Sequence, residues 1–367
     1  MQWKEQILDL PPYQPGKSTD AVKREYGLDN IVKLASNENP YGCSKKVVEA
    51  LQKSVQALEI YPDGHATYLR AAMAKHLRVN ENQLIFGNGS DNIIQIISRS
   101  LLTPGTNTVM ATPSFSQYKH NAVIEGAESR EIPLVNGEHD LDNMLKAIDS
   151  QTKVVWVCTP NNPSGVYIPG NRLVSFIEQV PENVLVVLDE AYFEYVTADD
   201  YINSITLLDK FKNLIVLRTF SKIYGLASLR VGYGVANPEV ISALEPVREP
   251  FNVNTLAQIA AVSAIEDQEF IEECKQKNQA GLEQFYQFCQ EQGLNYFPSQ
   301  GNFILIDFNL DGNEVFQYLM EHGYIVRSGK ALGFPTAVRV TVGSKEQNEG
   351  VMAEMKKLLE LKSQQVR

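Results

Sequence analysis

Thr219-Phe-Ser-Lys-Ile-Tyr-Gly-Leu-Ala-Ser-Leu-Arg-Val-Gly232 lies between two short apolar runs, 214–217 and 231–235, that read as buried strands. It brings two hydroxyl residues, Thr219 and Ser221, next to Lys222, and places Arg230 eight positions beyond the lysine. Strands buried on both faces belong to largely parallel sheets, which present their ligand-binding loops at the carboxyl ends of the strands. There Lys222 and Arg230 are either an exposed loop lysine with a surface arginine or parts of a site, in which hydroxyls and a fixed guanidinium can hold an anion and a lysine can be brought to lose its proton.

The same pattern repeats outward from this stretch. Further apolar runs occupy 83–86, 108–111, 154–158 and 184–188, and apolar residues at helical spacing occupy 92–102, 141–147 and 172–179. The class is α/β, a large domain with a mostly parallel central sheet flanked by helices. Val184-Leu-Val-Val-Leu-Asp-Glu-Ala-Tyr192 delivers Asp189 at a strand end, where a carboxylate either enters a site or caps a helix. Cys158-Thr-Pro-Asn-Asn-Pro-Ser-Gly165 puts Asn162 in a turn, although Asn-Pro and Ser-Gly are also plain turn chemistry. In Phe86-Gly-Asn-Gly-Ser-Asp-Asn-Ile-Ile94 the N–H groups of Gly89, Ser90 and Asp91 open a helix and can face an anion. The plainer reading is that Ser90 or Asp91 caps that helix, and the string is not the G-x-G-x-x-G of dinucleotide sites.

Four segments are expected: an N-terminal arm over 1–44 and a large domain over 45–255, then a proline-free connecting helical segment over 256–292 and a smaller α+β C-terminal domain over 293–367. The last carries strand candidates at 303–308, 324–327 and 338–342 and helices at 312–322 and 345–362. Thirty-three basic against 44 acidic residues leave a net charge of −11, the wrong sign for a nucleic-acid partner. No window has the ~18 apolar residues of a membrane span, and residues 1–11 lack a signal pattern, so a cytoplasmic protein is expected. Cys43, Cys158, Cys274 and Cys289 have no C-x-x-C spacing, and the five histidines form no ligand cluster, so neither metal nor disulfide framework is expected.

The lysine stretch, with Asp189 upstream of it and the Asn162 turn before both, resembles the fold-type-I pyridoxal-phosphate aminotransferases. The resemblance implies pyridoxal 5'-phosphate as cofactor, bonded to Lys222, its phosphate held by Thr219, Ser221, Arg230 and the Gly89-Ser90-Asp91 turn. It further implies Asp189 at the pyridine nitrogen, Asn162 and Tyr192 at the phenolate oxygen, and Phe115 stacked on the ring. In Val338-Arg-Val-Thr-Val-Gly343, Arg339 matches the arginine that clamps a substrate carboxylate or the group replacing it. Leu34-Ala-Ser-Asn-Glu-Asn-Pro-Tyr-Gly42 and Ile60-Tyr-Pro-Asp-Gly64 match N-terminal signatures, with Asn39 expected at the substrate and Tyr61 at the phosphate of a neighbouring subunit. A homodimer with shared active sites follows from that expectation.

Within the family the combined spelling, from Pro12-Tyr-Gln-Pro-Gly-Lys17 to Arg339, is most similar to the histidinol-phosphate aminotransferases. That similarity implies histidinol phosphate and 2-oxoglutarate as substrates and glutamate as a product. One substrate carries a phosphate and the other a carboxylate, so cations must serve both; Arg339 and Arg327 are the candidates, with Tyr13 reaching in from the arm. Ser228, Asn92 and Phe115 depart from the family's usual residues. Phe115 lacks the hydroxyl of the tyrosine frequent there, which keeps aromatic amino acids open as substrates. The alternatives are an aromatic aminotransferase, a decarboxylase of amino-acid phosphates using the same cofactor, a cofactor-sensing regulator and a scaffold without the cofactor.

Overall fold

The computed structural model describes residues 1–12, 17–54 and 58–365. Strand β1 (Val32–Lys33) stands apart from the main sheet. The main sheet contains β2 (Leu84–Gly87), β3 (Asn107–Thr112), β4 (Glu128–Pro133), β5 (Thr152–Cys158), β6 (Leu185–Asp189), β7 (Leu214–Thr219) and β8 (Gly232–Ala236). Their spatial order is β2-β8-β7-β6-β5-β3-β4, parallel throughout except that β8 runs antiparallel to both neighbours.

Alternation along β5 shows why these runs lack a polar face. Val155 and Val157 pack with Leu173, Phe176 and Ile177 on one side, whereas Val154 and Trp156 pack with Ile93, Ile97 and Tyr118 on the other. β4 was not expected, because Glu-Ser-Arg-Glu-Ile-Pro is polar on both faces. It is the sheet's edge, where charge discourages pairing with another chain.

Register brings the strand ends together. Cys158 lies opposite Asp189, Asp189 opposite Leu217, and Thr219 opposite Gly232, which in turn lies opposite Gly87. A buried ion pair locks the middle of this row: Arg218 donates from Nε and Nη2 to Glu190 Oε2 at 2.9 and 2.8 Å. Such a pair is costly to break, because either partner alone would be a buried unpaired charge. It therefore holds the ends of β6 and β7, and with them Asp189 and Thr219, at a set spacing.

The expected helical segment over 256–292 consists of two helices, Thr255–Ile265 and Gln268–Gln292. Asp267 interrupts them and accepts a hydrogen bond from Ser44 Oγ, so the first helix packs beside Lys45–Ser54 and Thr67–Leu77 in the large domain. The second helix leads into a four-stranded antiparallel sheet formed by β9 (Asn295–Tyr296), β10 (Phe303–Asp307), β12 (Arg327–Ser328) and β13 (Ala337–Thr341), with β11 (Tyr324–Ile325) beside it.

The arm is not merely laid on the surface. β1 pairs in parallel with β11, Leu34 joins the small-domain core with Phe285, Ile304 and Val340, and the Thr341 N–H donates to Leu34 O at 2.8 Å. A two-residue strand has no readable period, so the sequence does not reveal this docking. Among the described residues no helix is long and apolar enough to cross a membrane.

Candidate active site

The row of strand ends opens onto an anion cradle. Gly89 sits at φ +77° before the twelve-residue helix Ser90–Leu101, and a Cβ there would stand 2.7 Å from Arg230 Nη2. Arg230, itself left-handed at φ +54°, donates to Ser221 Oγ at 3.2 Å and approaches Asp91 Oδ2 at 3.5 Å. The Ser221 N–H donates to Thr219 Oγ1 at 3.1 Å. A guanidinium, two hydroxyls and a helix N-terminus thus converge, as phosphate binding requires.

Gly232 allows that convergence, since a Cβ on it would meet Ser90 N at 2.5 Å and Gly89 C at 2.7 Å, both backbone atoms. Gly232→Ala is expected to cost about 3 kcal/mol of stability, because backbone cannot step aside as a side chain can. Urea unfolding of the purified variant measures this, and an unchanged midpoint would show that the cradle is not tightly closed.

Asp189 is buried at the end of β6. Its Oδ2 accepts from Tyr118 Oη at 2.6 Å and its Oδ1 from the Ala191 N–H at 3.2 Å. Burial pushes its pKa up to about 6, which the Tyr118 hydrogen bond partly opposes. Lys222 Nζ lies 3.4 Å from Ser36 O and 5.6 Å from the centre of the Tyr192 ring. Burial, reinforced by the Arg339 cation, pushes its pKa down to about 8.

Small-domain groups close over this pair. Arg339, buried on β13, donates to Asn162 Oδ1 at 2.6 Å and to Ala35 O at 2.7 Å. Arg327 on β12 lies directly opposite it in register, which puts both arginines on one face of the sheet. Tyr192 Oη accepts from Asn37 Nδ2 at 2.9 Å, and its burial raises the phenol's pKa. Phe115 is partly buried, edge-on to Tyr118 at 5.6 Å.

Of the other expected residues, Asn39 and Tyr61 make different contacts within this chain. Asn39 turns its amide to Ile223 O at 2.7 Å and to Cys274 Sγ at 3.4 Å, and its side-chain oxygen accepts from the Tyr41 N–H. Tyr61 is 78% exposed and stacks on Phe251 at 4.9 Å. Tyr13 lies outside the described residues. In turn, the structure adds Asn37, two positions before Asn39, and Tyr118, three positions after Phe115, with nothing in their spacing to mark either.

Pyridoxal phosphate fits this donor set on chemical grounds. The cradle, which a Cβ at Gly89 or Gly232 would fill, suits its phosphate, the buried carboxylate of Asp189 suits a protonated ring nitrogen, and Lys222 is the amine between them.

The chain matches the family model "Aminotransferase class I and II" over residues 29–354. It is 63% identical over 362 residues to a histidinol-phosphate aminotransferase of Geobacillus sp. (strain WCH70), covering 99% of each chain. It is 59% identical over 360 residues to that of Bacillus subtilis (strain 168), covering 98% of this chain and all of the relative. A crystal structure of histidinol-phosphate aminotransferase from Sinorhizobium meliloti in complex with pyridoxal-5'-phosphate superposes with a TM-score of 0.90 at 26% identity, covering 98% of both chains. The chain therefore has the fold that its lysine and aspartate motifs implied, and it belongs to the class I and II aminotransferases, pyridoxal-phosphate enzymes of fold type I, within the group of the histidinol-phosphate aminotransferases.

Proposed function

We propose that this protein transfers the amino group of L-histidinol phosphate to 2-oxoglutarate, giving imidazole acetol phosphate and L-glutamate, a cytoplasmic step of L-histidine biosynthesis. Given the family, the observation that carries this reading is Arg339, buried beside the Lys222 cluster and opposite Arg327, a paired cationic face that suits a phosphate or a carboxylate.

Thr219, Ser221, Arg230 and the N–H groups of Gly89, Ser90 and Asp91 hold the cofactor phosphate, and Phe115 lies against the ring. Asn162 spends its carbonyl on Arg339, which leaves its Nδ2 to donate to the phenolate oxygen. Tyr192 accepts from Asn37 and so directs its own proton to that same oxygen. Asp189 holds a proton on the ring nitrogen. Bound there, pyridoxal phosphate supplies a cationic ring that accepts the electron pair left on the substrate's α-carbon. Lys222, with a pKa of about 8, is partly neutral near physiological pH, so its Nζ can take the α-proton and give it back on the other side of the exchange. Tyr61, exposed on Phe251, reaches the phosphate of a second subunit, which makes the working form a homodimer with shared sites.

The visible absorbance of the cofactor-loaded protein tests the substrate. L-histidinol phosphate is expected to bleach the lysine-bound cofactor band at a concentration at least about tenfold below that needed with L-phenylalanine, because the phosphate adds a charge-assisted contact. An equal response to both would make this an aromatic aminotransferase of mixed specificity, the reading that Phe115 leaves open.

A further inference from the structure

The mechanism above uses Asp189 but not the side chain that holds it. Tyr118 belongs to the helix Gln117–Glu125, is 1% exposed, and aims its hydroxyl at Asp189 Oδ2, 2.6 Å away. Its ring has little freedom. It stacks on Trp156 with centroids 4.9 Å apart and planes 11° from parallel. Trp156 is fixed in turn, since Nε1 donates to Thr108 Oγ1 at 2.8 Å, and Thr108 Oγ1 donates to Val154 O at 2.7 Å. The chain of contacts therefore runs from the backbone of β5, through Thr108 on β3 and two stacked rings, to one carboxylate oxygen; the Ala191 N–H holds the other. One turn earlier, Phe115 touches the edge of the same tyrosine, so a single short segment positions both the residue placed against the cofactor ring and the carboxylate that faces its nitrogen.

We propose that Tyr118, clamped by Trp156 and Thr108, is a positioning residue that orients the Asp189 carboxylate toward the cofactor's ring nitrogen and keeps it there through the reaction. The inference rests on the role given to Asp189 under the proposed function. A short hydrogen bond from a phenol to a carboxylate is of the stronger, charge-assisted kind, and its loss would leave Asp189 with a buried oxygen lacking its donor.

A double-mutant cycle on the holoenzyme tests it, with wild type, Tyr118→Phe, Asp189→Asn and the double variant compared for kcat, KM and the dissociation constant of pyridoxal phosphate. Tyr118→Phe is expected to lower kcat about 10- to 100-fold and weaken cofactor binding, with KM for histidinol phosphate little changed. In the Asp189→Asn background the same change is expected to add no further loss, because the group it acts through is already gone. Equal losses in both backgrounds would make Tyr118 a packing residue and overturn the proposal. A Tyr118→Phe enzyme at wild-type values beside an impaired Asp189→Asn enzyme would overturn it while leaving the Asp189 role intact; wild-type cofactor affinity and kcat in Asp189→Asn would instead overturn the Asp189 role itself. Trp156→Phe, which keeps the hydroxyl but removes the bond to Thr108, is the second probe. A smaller fall in kcat that disappears in the Asp189→Asn background supports the clamp, and a fall of the same size in both backgrounds overturns it.

Discussion

Lys222→Ala is expected to reduce transamination by at least about 10⁴-fold, because the proposed function assigns both the covalent attachment and the proton transfer at the α-carbon to this one side chain. The loss should be chemical rather than structural. Lys222 sits at the turn after β7, its amine lies 3.4 Å from a single carbonyl, that of Ser36, and the phosphate cradle is built from other residues. Thermal unfolding of the cofactor-free variant should therefore stay close to wild type. Lys222→Arg gives the sharper comparison: it restores the positive charge but, with a guanidinium pKa above about 12, never supplies a neutral nitrogen. Both variants are expected to be inactive in steady-state and single-turnover assays. Ordinary turnover in either would remove the lysine from the mechanism.

Asp189→Asn is expected to separate activity from stability in opposite directions. Its activity should fall about 10³-fold, because a neutral amide cannot hold a proton on the ring nitrogen as a buried carboxylate does. The cofactor-free protein should become more stable near pH 7. The folded-state pKa of Asp189 is raised from 3.8 to about 6, so between about pH 4 and pH 6 the folded chain keeps a proton that the unfolded chain has released. The stabilisation tied to that proton is fully present below pH 4 and lost as the pH rises through 6. Above 6 the ionised group costs about 3 kcal/mol relative to its unfolded value, an amount the asparagine does not incur. Urea midpoints of wild type and variant at pH 4, 5, 6 and 7 should thus diverge over this window, with the variant ahead at pH 7. Superimposable curves would show that Asp189 is not held ionised against its burial. On its proposed role, Asp189 lowers stability for the sake of a site that the bound cofactor completes.

The parts of the site legible in the sequence share one property: each lies within a few residues of an apolar run buried on both faces. Asp189, Asn162, Lys222 and the Gly89 turn are legible as carboxyl-end groups of buried strands because a short continuous apolar run followed by a turn is a local signal. Elements with no such pattern escaped. β4 is polar because it is an edge, β1 is two residues long, and the helix break at Asp267 depends on Ser44, 223 residues away.

The sequence by itself determined the class of sheet and the order of the chemical groups along it. Only the tertiary structure decided which asparagine of Ser36-Asn-Glu-Asn39 meets Tyr192, since Asn37 is selected by the Thr341 hydroxyl of the small domain and Asn39 by the carbonyl of Ile223. It alone also decided that Tyr118, rather than solvent, completes the shell of Asp189 and that Arg327 faces Arg339. These are contacts between segments far apart in the chain, and their partners are fixed by how the two domains and the sheet's neighbouring strands pack, which no local spacing encodes.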